Sequence, residues 1–249
     1  MTRSRRDVHA LSPRISVVIP AYNEAANLPH VLALLPEHAE VVLVDGQSTD
    51  GTVAVTRALR PDATILQQER RGRGDALASG LAAATGEIIV TLDADGSTDP
   101  REIPRFVDAL VRGADIAKGT RFAPGGGSND LTLLRAWGNR RLSRVASLLF
   151  RDSCSDVCYG FTAFWARCLP SLQLSSGTGS RRGRRLGDGF EFAAVLKSRA
   201  VKAHLRTVEV PSLEHRRAWG ESNLHAWRDG TRVLLALLAE RISGSTRRR

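Results

Sequence analysis

The residues best suited to chemistry are two aspartates in the stretch EIIVTLDADGSTDP, from Glu87 to Pro100. Asp93 and Asp95 follow an apolar, β-branched run that predicts a buried strand. In extended backbone, residues two apart point to the same side, so the two carboxylates can converge on one point. A hard divalent cation such as Mg²⁺ or Mn²⁺ binds one or two carboxylates together with substrate phosphate oxygens. The pair therefore predicts a cation site that could act as a Lewis acid on a departing diphosphate.

The same stretch also allows a purely structural interpretation. Asp95 and Gly96 could form an ordinary turn, and Asp99 stands directly before Pro100, where an aspartate typically caps the start of a helix. We expect Asp99 to be such a cap. For Asp93 and Asp95, the polar clusters that end the neighbouring strands favour the cation site.

Apolar runs and segments of helical periodicity alternate through the first half of the chain. The runs that predict strands are RISVVIP, EVVLVDG, ATILQQ, EIIVTLD and ADIAKGTRF. Helix-like segments lie between them, for example EAANLPHVLALLP, where Leu28, Leu32 and Leu35 recur at helical spacing. This alternation predicts an α/β fold with a Rossmann-like, mainly parallel sheet and helices on both faces.

Polar clusters follow four of these strands. They are PAYNE (20–24), DGQSTDGT (45–52), DADGS (93–97) and KGTRF (118–122). In an open parallel sheet, ligands bind beyond the carboxyl ends of the strands. Four polar clusters at one edge of one sheet therefore predict a binding site that includes the aspartate pair.

The composition fits a globular and strongly basic protein. The 249 residues are 42% hydrophobic and carry a formal net charge of +10. Such a charge suits nucleic acid, an anionic membrane or a phosphate-bearing substrate. The three cysteines, Cys154, Cys158 and Cys168, indicate reduced thiols, because four soft ligands at close spacing are lacking for a zinc site.

Membrane-spanning and secreted proteins are disfavoured. No apolar run reaches the roughly 18 to 20 residues that cross a bilayer, and none follows the N-terminal arginines as in a secretory signal. We therefore expect a cytoplasmic protein, peripheral on the inner face of the membrane. Residues 131–150 predict a basic amphipathic helix with Leu133, Leu134, Trp137 and Leu142 among arginines. This composition is typical of a helix on an anionic membrane surface, although a helix packed on the sheet would also need apolar residues.

Several motifs together resemble the family 2 glycosyltransferases with the GT-A fold. They are SVVIPAYNEAANL, VVLVDGQSTDGT, RGRGDALASGLAAATGEIIVTLDADGS and KGTRF. Within that family, SDVCYGFTAF, DGFEF and EVPSLEHRRAWGESNL are most similar to the dolichol-phosphate (polyprenyl-phosphate) mannosyltransferase branch. The resemblance covers about Ile15 to Leu224. It implies a metal-dependent, inverting transfer of a sugar from a nucleotide-sugar donor, GDP-mannose or a UDP-hexose, to a polyprenyl phosphate.

The resemblance also implies a donor site. Four residues after the first strand correspond to the pocket for ribose and base: Pro20, Ala21, Tyr22 and Glu24. Asp45 corresponds to the carboxylate that pairs with the base. Asp93 and Asp95 resemble the DxD pair of the family, with Asp95 as the direct metal ligand.

Basic residues are implied on both sides of the reacting centre. Arg217 matches a family arginine near the donor diphosphate, and Arg121 and Arg135 match arginines near the acceptor phosphate. The segment RGRGDAL begins a helix, so Arg71 or Arg73 is expected near the donor phosphates.

Two positions depart from the family pattern. Gly46 stands where a second aspartate usually follows the second strand, which leaves UDP-sugars open beside GDP-mannose. Ser97 stands where a stronger ligand often completes the metal site, so His215 is a candidate third ligand, although a lone histidine is often structural.

The type of acceptor decides whether a general base is needed. A phosphate oxygen is already ionised, so transfer to it needs positioning and charge neutralisation only. A hydroxyl needs a base, and Asp188 and Glu191 in GDGFEF are the candidates. Transfer to a hydroxyl of a saccharide or small molecule is therefore the alternative.

We predict one GT-A domain at residues 14–241, between a basic flexible arm at 1–13 and a basic tail at 242–249. Residues 14–122 would form the nucleotide-sugar-binding half. Residues 123–241 would form the acceptor half, a C-terminal helical extension that contains a low-complexity, disordered loop at 175–187.

Two other classes of protein compete less well. A sugar-nucleotide pyrophosphorylase would carry a GxGTR-like loop after the first strand, where PAYNE stands. A basic nucleic-acid-binding protein would explain the charge but not the aspartate pair, and the chain lacks the usual recognition modules. We expect no nucleic-acid partner.

Overall fold

The computed structural model describes residues 13–70, 72–174, 189–220 and 225–245. Within these ranges the strands are β1 (Ile15–Ala21), β2 (Glu40–Asp45), β3 (Thr64–Gln67), β4 (Ile88–Thr91), β5 (Ile116–Thr120), β6 (Gly127–Ser128), β7 (Thr162–Trp165), β8 (Thr207–Pro211) and β9 (Leu213–Glu214). The first five are the strands that the alternation predicts.

In the described part of the chain, seven of these strands form one sheet in the order β3-β2-β1-β4-β7-β5-β8. Strand β7 is antiparallel to both β4 and β5, and all other neighbours are parallel. Because the two antiparallel steps cancel, β4 and β5 run the same way and end at the same edge. The predicted mainly parallel α/β sheet is confirmed.

Helices cover both faces of this sheet. They are α1 (Leu28–Ala33), α2 (Thr52–Leu59), α3 (Arg73–Ala83), α4 (Ile103–Val111), α5 (Leu133–Phe150), α6 (Leu169–Leu172), α7 (Phe192–Lys202) and α8 (Ala226–Ser245). Alternate residues of β1 reach opposite cores, since side chains alternate along a strand. Val17 and Ile19 pack in the core that includes α1 and α4, whereas Val18 packs in the core that includes α3 and α7.

The C-terminal half adds a further helical layer, and the assignment of this half to the acceptor stays a prediction. Helices α5, α7 and α8 meet around a small apolar cluster that includes Ala146, Ala194, Val233 and Leu237. This cluster holds α5 and α8 side by side next to the end of β5.

Several local predictions can be compared with the structure. Asp99 caps the 3₁₀ turn Pro100–Glu102 by accepting a hydrogen bond from the backbone N–H of Arg101, as predicted. Except for Pro13, the predicted arm at 1–13 lies outside the described residues, and so does the loop at 175–187. Helix α8 continues to Ser245, past the start of the predicted tail at 242. Among the described residues, no helix combines the length and the apolar composition needed to cross a bilayer.

Helix α3 packs very close to the sheet at Gly80. A Cβ at this position would press into Cγ1 of Val18 and lie 3.0 Å from Cγ2 of Val44. We predict that Gly80→Ala lowers the free energy of unfolding by about 1–3 kcal/mol, because the helix has to move away from the sheet. Urea unfolding followed by circular dichroism measures the change.

Gly138→Ala is the matched control, since Gly138 also lies inside a helix but a Cβ there meets nothing within 4 Å. This variant should keep the native stability or gain up to about 1 kcal/mol, because alanine favours the helix over glycine. Equal losses in both variants would show that α3 does not depend on close approach at Gly80.

Candidate active site

A cavity of about 390 Å³ lies next to the carboxyl ends of β4 and β5. Asp93 and Asp95 form part of its wall. Five arginines share the wall: Arg73, Arg121, Arg135, Arg216 and Arg217. Helices α5 and α8 contribute apolar wall residues, among them Leu134, Trp137, Leu142, Trp227 and Val233. The cavity thus brings the predicted aspartate pair together with four predicted arginines.

Asp93 is held by Arg73, which begins α3. The Nε and Nη2 atoms of Arg73 lie 2.8 and 2.5 Å from Oδ1 of Asp93. Gly160 leaves room for this guanidinium, because a Cβ on Gly160 would press into its Nη2 atom. The sequence predicts Arg73 near the donor phosphates, and the structure places it directly on Asp93.

Asp95 is positioned by its own loop and by Arg217. Its Oδ1 atom accepts hydrogen bonds from N and Oγ of Ser97 at 3.0 and 2.7 Å. Its Oδ2 atom lies 3.7 Å from Nε of Arg217, which also forms an ion pair with Glu24. Burial raises the pKa of Glu24 above its usual value, although Asn27 and Arg217 oppose the shift. One guanidinium therefore links the predicted base pocket to the predicted metal ligand.

The oxygen atoms around the aspartate pair fit a hard divalent cation. Asp93, Asp95 and Ser97 offer carboxylate and hydroxyl oxygens, which Mg²⁺ and Mn²⁺ prefer. His215 donates its backbone N–H to the carbonyl oxygen of Ser97 at 2.8 Å, but it is not part of the cavity wall. The described residues contain no group of three or more His, Cys, Asp or Glu side chains arranged for a metal. A cation held by this pair would therefore take its remaining ligands from substrate or solvent.

The residues expected to bind ribose and base lie at the ends of β1 and β2. Pro20 and Ala21 end β1, and Asp45 ends β2 in register with Ala21. Asp45 is buried, whereas Tyr22 is 54% exposed. A Cβ on Gly46 would lie only 3.2 Å from Cβ of Tyr22, so a larger residue there would press on the tyrosine. These residues border the sheet edge but are not part of the cavity wall.

Arg121 is buried, and its charge is already balanced. Its Nε and Nη2 atoms lie 2.7 and 3.0 Å from the carboxylate oxygens of Asp156, and its Nη1 atom lies 3.0 Å from both carboxylate oxygens of Glu214. Burial opposes a charge here, but the two carboxylates outweigh it and raise the pKa of Arg121. The guanidinium carbon also lies 4.8 Å from the ring centre of Tyr159. An acceptor phosphate beside Arg121 would therefore contact a guanidinium whose positive charge is already neutralised by Asp156 and Glu214.

The other predicted acceptor residues are divided between the cavity and its surroundings. Arg135 lies near the start of α5, with its Nη1 atom 3.6 Å from Oδ2 of Asp130, and both residues line the cavity. Glu191 is buried before α7, where Nη2 of Arg232 donates to its Oε1 atom at 2.5 Å. It is not part of the cavity wall. Asp188 lies outside the described residues.

The family comparison agrees with this arrangement. A family model described as "Glycosyl transferase family 2" matches residues 16–169, more than half of the chain. The chain belongs to this family. The matched range contains the aspartate pair, and the prediction of a family 2 glycosyltransferase is confirmed.

Curated relatives of this family 2 protein include uncharacterized glycosyltransferases of Mycobacterium tuberculosis and Mycobacterium bovis. Each is 41% identical over 107 residues, which are 43% of this chain and 48% of the relative. The chain therefore spans about half the length of the curated relatives it matches.

Solved structures of glucosyl-3-phosphoglycerate synthase from Mycobacterium tuberculosis have a similar fold. Its complex with Mn²⁺, UDP-glucose and phosphoglyceric acid is 21% identical, with a TM-score of 0.71, covering 97% of this chain and 85% of that chain. Its complex with Mg²⁺ and UDP is 21% identical, with a TM-score of 0.69, covering 96% of this chain and 84% of that chain. These likenesses confirm the predicted GT-A fold. The polyprenyl-phosphate branch stays a prediction.

Sequence reasoning assigned no role to several wall residues of this glycosyltransferase. Arg216 immediately precedes Arg217 in the motif EVPSLEHRR and Glu214 stands three residues before it, so closeness in sequence was a usable signal. Trp227 and Asp229 lie on α8 and reach the cavity only through the packing of that helix. Asp229 is buried and accepts the backbone N–H of His225 at 2.8 Å.

The buried partner of Arg121 predicts a pH-dependent stability. Burial alone would raise the pKa of Asp156, but Arg121, Lys118 and Asn139 together hold it below its usual value. A carboxylate with a lowered pKa stabilises the fold above its unfolded pKa and loses that effect as the pH falls through the folded pKa. We predict that Asp156→Asn lowers the free energy of unfolding by about 3–5 kcal/mol at neutral pH, because a buried arginine loses its main partner. The difference should narrow below about pH 4.

Urea unfolding of native and variant protein between neutral and acidic pH measures this difference. Asp62→Asn is the control, because Asp62 is 64% exposed in its pair with Arg60 and should contribute no more than about 1 kcal/mol. A difference for Asp156→Asn that is the same at every pH would show that the carboxylate charge is not what stabilises this region.

Proposed function

We propose that this glycosyltransferase moves a hexose from GDP-mannose or a UDP-hexose to a polyprenyl phosphate, with inversion at the anomeric carbon. Asp95, together with Asp93, would hold Mg²⁺ or Mn²⁺, which supplies Lewis-acid stabilisation of the departing diphosphate. The main observation behind the proposal is a change along the cavity wall. The wall residues near the sheet are charged, and those that are exposed on the helices are apolar.

The change in polarity follows the burial of the wall residues. Near the aspartate pair, the side chains of Arg73 and Arg217 are only 14% and 17% exposed. On α5 and α8, Leu134, Trp137 and Trp227 are 50%, 56% and 74% exposed. An acceptor with an anionic head and an apolar chain matches this order, since its head can reach the buried charges while its chain stays among the apolar side chains.

Two arginines are suited to the acceptor phosphate. Arg216 is exposed, donates from its Nε atom to the carbonyl oxygen of Asn129 at 3.0 Å, and forms no ion pair with a described residue. Arg135 lies on α5 in the same cavity wall. Because Arg121 is compensated by Asp156 and Glu214, we assign the neutralisation of the acceptor phosphate to Arg216 and Arg135, and assign a positioning role to Arg121.

This chain would then act by positioning and by charge. A phosphate oxygen attacks the anomeric carbon without a general base, because it is already ionised. Arg217 neutralises charge on the leaving side, since it lies between Glu24 and Asp95 and can donate to diphosphate oxygens. Arg73 keeps Asp93 oriented. These charges are fixed by neighbouring residues before substrate binds, which is the arrangement that stabilises a transition state most effectively.

The solved structures of similar fold support the donor and the metal. Glucosyl-3-phosphoglycerate synthase has been crystallised with UDP-glucose, Mn²⁺ and phosphoglyceric acid, and with UDP and Mg²⁺. The acid in that complex is a water-soluble molecule that bears a phosphate. It supports an anionic acceptor in this fold, and it is equally compatible with a small-molecule acceptor.

Transfer to a hydroxyl of a saccharide or small molecule is the second candidate. The observation that favours it is Asp229, a buried carboxylate in the cavity wall that could serve as a base. Glu191 is less suited to that role, because it pairs with Arg232 away from the wall.

The metal assignment predicts a loss of both binding and transfer. We expect Asp95→Asn to abolish Mn²⁺-dependent binding of UDP or GDP and to lower transfer roughly a hundredfold or more, because charge on the leaving diphosphate is no longer neutralised. Isothermal calorimetry with and without Mn²⁺ measures the binding. Asp99→Asn is the control, since Asp99 caps a 3₁₀ turn, pairs with Arg101 and is not part of the cavity wall. Transfer that persists in EDTA would refute the metal assignment.

The acceptor assignment predicts a change confined to one substrate. Arg216→Gln and Arg135→Gln should each raise the KM for polyprenyl phosphate about tenfold or more, because a charge-assisted contact to the phosphate is lost. Donor affinity should stay native. Arg105→Gln, on the exposed side of α4, is the control of equal charge and should change neither value.

The same assay tests the proposed function when it compares acceptors. Labelled nucleotide sugar is offered with polyprenyl phosphate, polyprenol, phosphoglycerate and free saccharides. Transfer to the lipid phosphate but not to polyprenol supports the proposal. Transfer to a saccharide or phosphoglycerate hydroxyl, with none to the lipid phosphate, would reject it in favour of the second candidate, for which Asp229→Asn should then be inactive.

A further inference from the structure

We propose that helices α5 and α8 form a docking face for an anionic lipid bilayer, with the cavity opening toward the bilayer between them. The face is defined by eight exposed apolar residues: Leu133, Leu134, Trp137, Leu148, Trp227, Leu235, Leu238 and Ile242. Docking itself follows from the surface alone, whereas passage of a lipid acceptor into the cavity rests on the proposed function.

Exposed apolar side chains are concentrated on these two helices. Of the 13 large apolar residues exposed in the described part of the chain, eight belong to the α5–α8 face. On α8, Trp227, Leu235, Leu238 and Ile242 recur at intervals that place them along one side of the helix. Such a concentration of exposed apolar side chains on two neighbouring helices marks an interaction site.

The opposite sides of the two helices are already used for packing. Ala146 of α5 and Val233 and Leu237 of α8 are buried in one apolar cluster, with Leu142 partly buried against it. The residues of the α5–α8 face lie on the other sides of the two helices. Leu134, Trp137 and Trp227 lie where this face meets the cavity, and the other five are not part of the cavity wall.

The exposed charges on the two helices themselves have one sign, and an exposed acid just outside them, Asp130, lies 3.6 Å from Arg135. Helix α5 contains no acidic residue. The acids of α8 are Asp229 and Glu240, and both are buried with basic partners. The exposed charged residues of the two helices are all arginines: Arg140, Arg141, Arg144, Arg228 and Arg241. Apolar side chains among cations complement an anionic lipid surface, where they can enter the interface while the arginines meet headgroups.

A second copy of the chain is a poorer occupant of this face. Two such faces would bring arginines against arginines, and like charges in contact oppose association. Trp137 and Trp227 instead suit the boundary between water and lipid, because the indole ring is apolar and its N–H is polar. Both tryptophans also line the cavity, so the residues that would touch lipid continue directly into the proposed acceptor site.

Vesicle flotation tests the charge requirement. The 249-residue chain is mixed with two kinds of phosphatidylcholine vesicle. One kind contains no phosphatidylglycerol, and in the other about 30% of the lipid is this anionic phospholipid. We expect binding only to the anionic vesicles, weakened by high salt. The triple variant Arg140→Gln, Arg141→Gln, Arg144→Gln should lose at least about tenfold in partitioning. The triple variant Arg57→Gln, Arg105→Gln, Arg112→Gln removes equal charge from α2, α4 and the C-cap of α4, and should bind as the native protein does.

Fluorescence quenching by brominated lipid tests which side faces the bilayer. Native protein should be quenched on anionic vesicles that contain brominated phosphatidylcholine. Trp137→Phe together with Trp227→Phe should remove most of that quenching. Trp219→Phe is the control, because Trp219 is 55% exposed and its backbone contacts Asn27 instead. Circular dichroism confirms that each variant remains folded.

Three results of the vesicle experiments would overturn the docking face. They are no binding to anionic vesicles at low salt, equal loss in the control triple variant, and quenching that depends on Trp219 rather than on Trp137 and Trp227. A stable dimer that Leu235→Ser disrupts would assign the face to a second copy and would also overturn it. Because the vesicles contain no acceptor, these experiments test docking independently of sugar transfer. Transfer to a short, water-soluble polyprenyl phosphate without vesicle binding would keep the proposed function and reject the face.

Discussion

Three distant segments of the chain meet at the guanidinium of Arg121, and the site depends on that meeting. Arg121 follows β5, Asp156 precedes β7, and Glu214 lies in β9. The side chains of Arg121 and Asp156 are 7% and 0% exposed, and charges buried to this degree are tolerated only when they are paired and hydrogen-bonded. The ion pairs therefore close the loop before β7 and strand β9 over the end of β5. Asn139 joins α5 to the same carboxylate at 2.5 Å.

This constraint continues through β9 to the aspartate loop. Thr98 forms a β-bridge with Glu214, and the backbone N–H of His215 donates to Ser97 at 2.8 Å. Two residues further along, Arg217 comes within 3.7 Å of Asp95. Backbone hydrogen bonds thus set the distance between an acidic loop and a basic segment that are far apart in the sequence. Charges that are fixed in this way need little rearrangement when a ligand binds, which is the property that the proposed transfer requires.

Local patterns made much of this arrangement predictable. The first five strands are short apolar runs between helical segments, and the spacing of Asp93 and Asp95 indicated a shared site without any knowledge of the fold. Strand β7 was not predicted, because its place between β4 and β5 depends on pairing with residues far away in the chain. The partners of Arg121 lie 35 and 93 residues from it, so the sequence shows the arginine but not the carboxylates that balance it. The same holds for Gly160, whose missing side chain matters only because Arg73 lies against it.

The distribution of acids between interior and surface explains how the charge of this glycosyltransferase acts. Among the described residues, more acids than bases have buried side chains: Asp45, Asp75, Asp156, Glu191, Asp229 and Glu240, against Lys118, Lys197 and Arg121. Inside the protein these acids balance cations, as Asp156 does for Arg121 and Glu240 for Arg199 and Lys202. Each of these pairs cancels an acid against a cation, so the net charge of +10 is carried by the remaining side chains. Helix α5 shows the consequence most clearly, since its arginines have no acid on the same helix. The pairing that stabilises the interior and the attraction of anionic ligands to the surface are therefore two results of one distribution of charge.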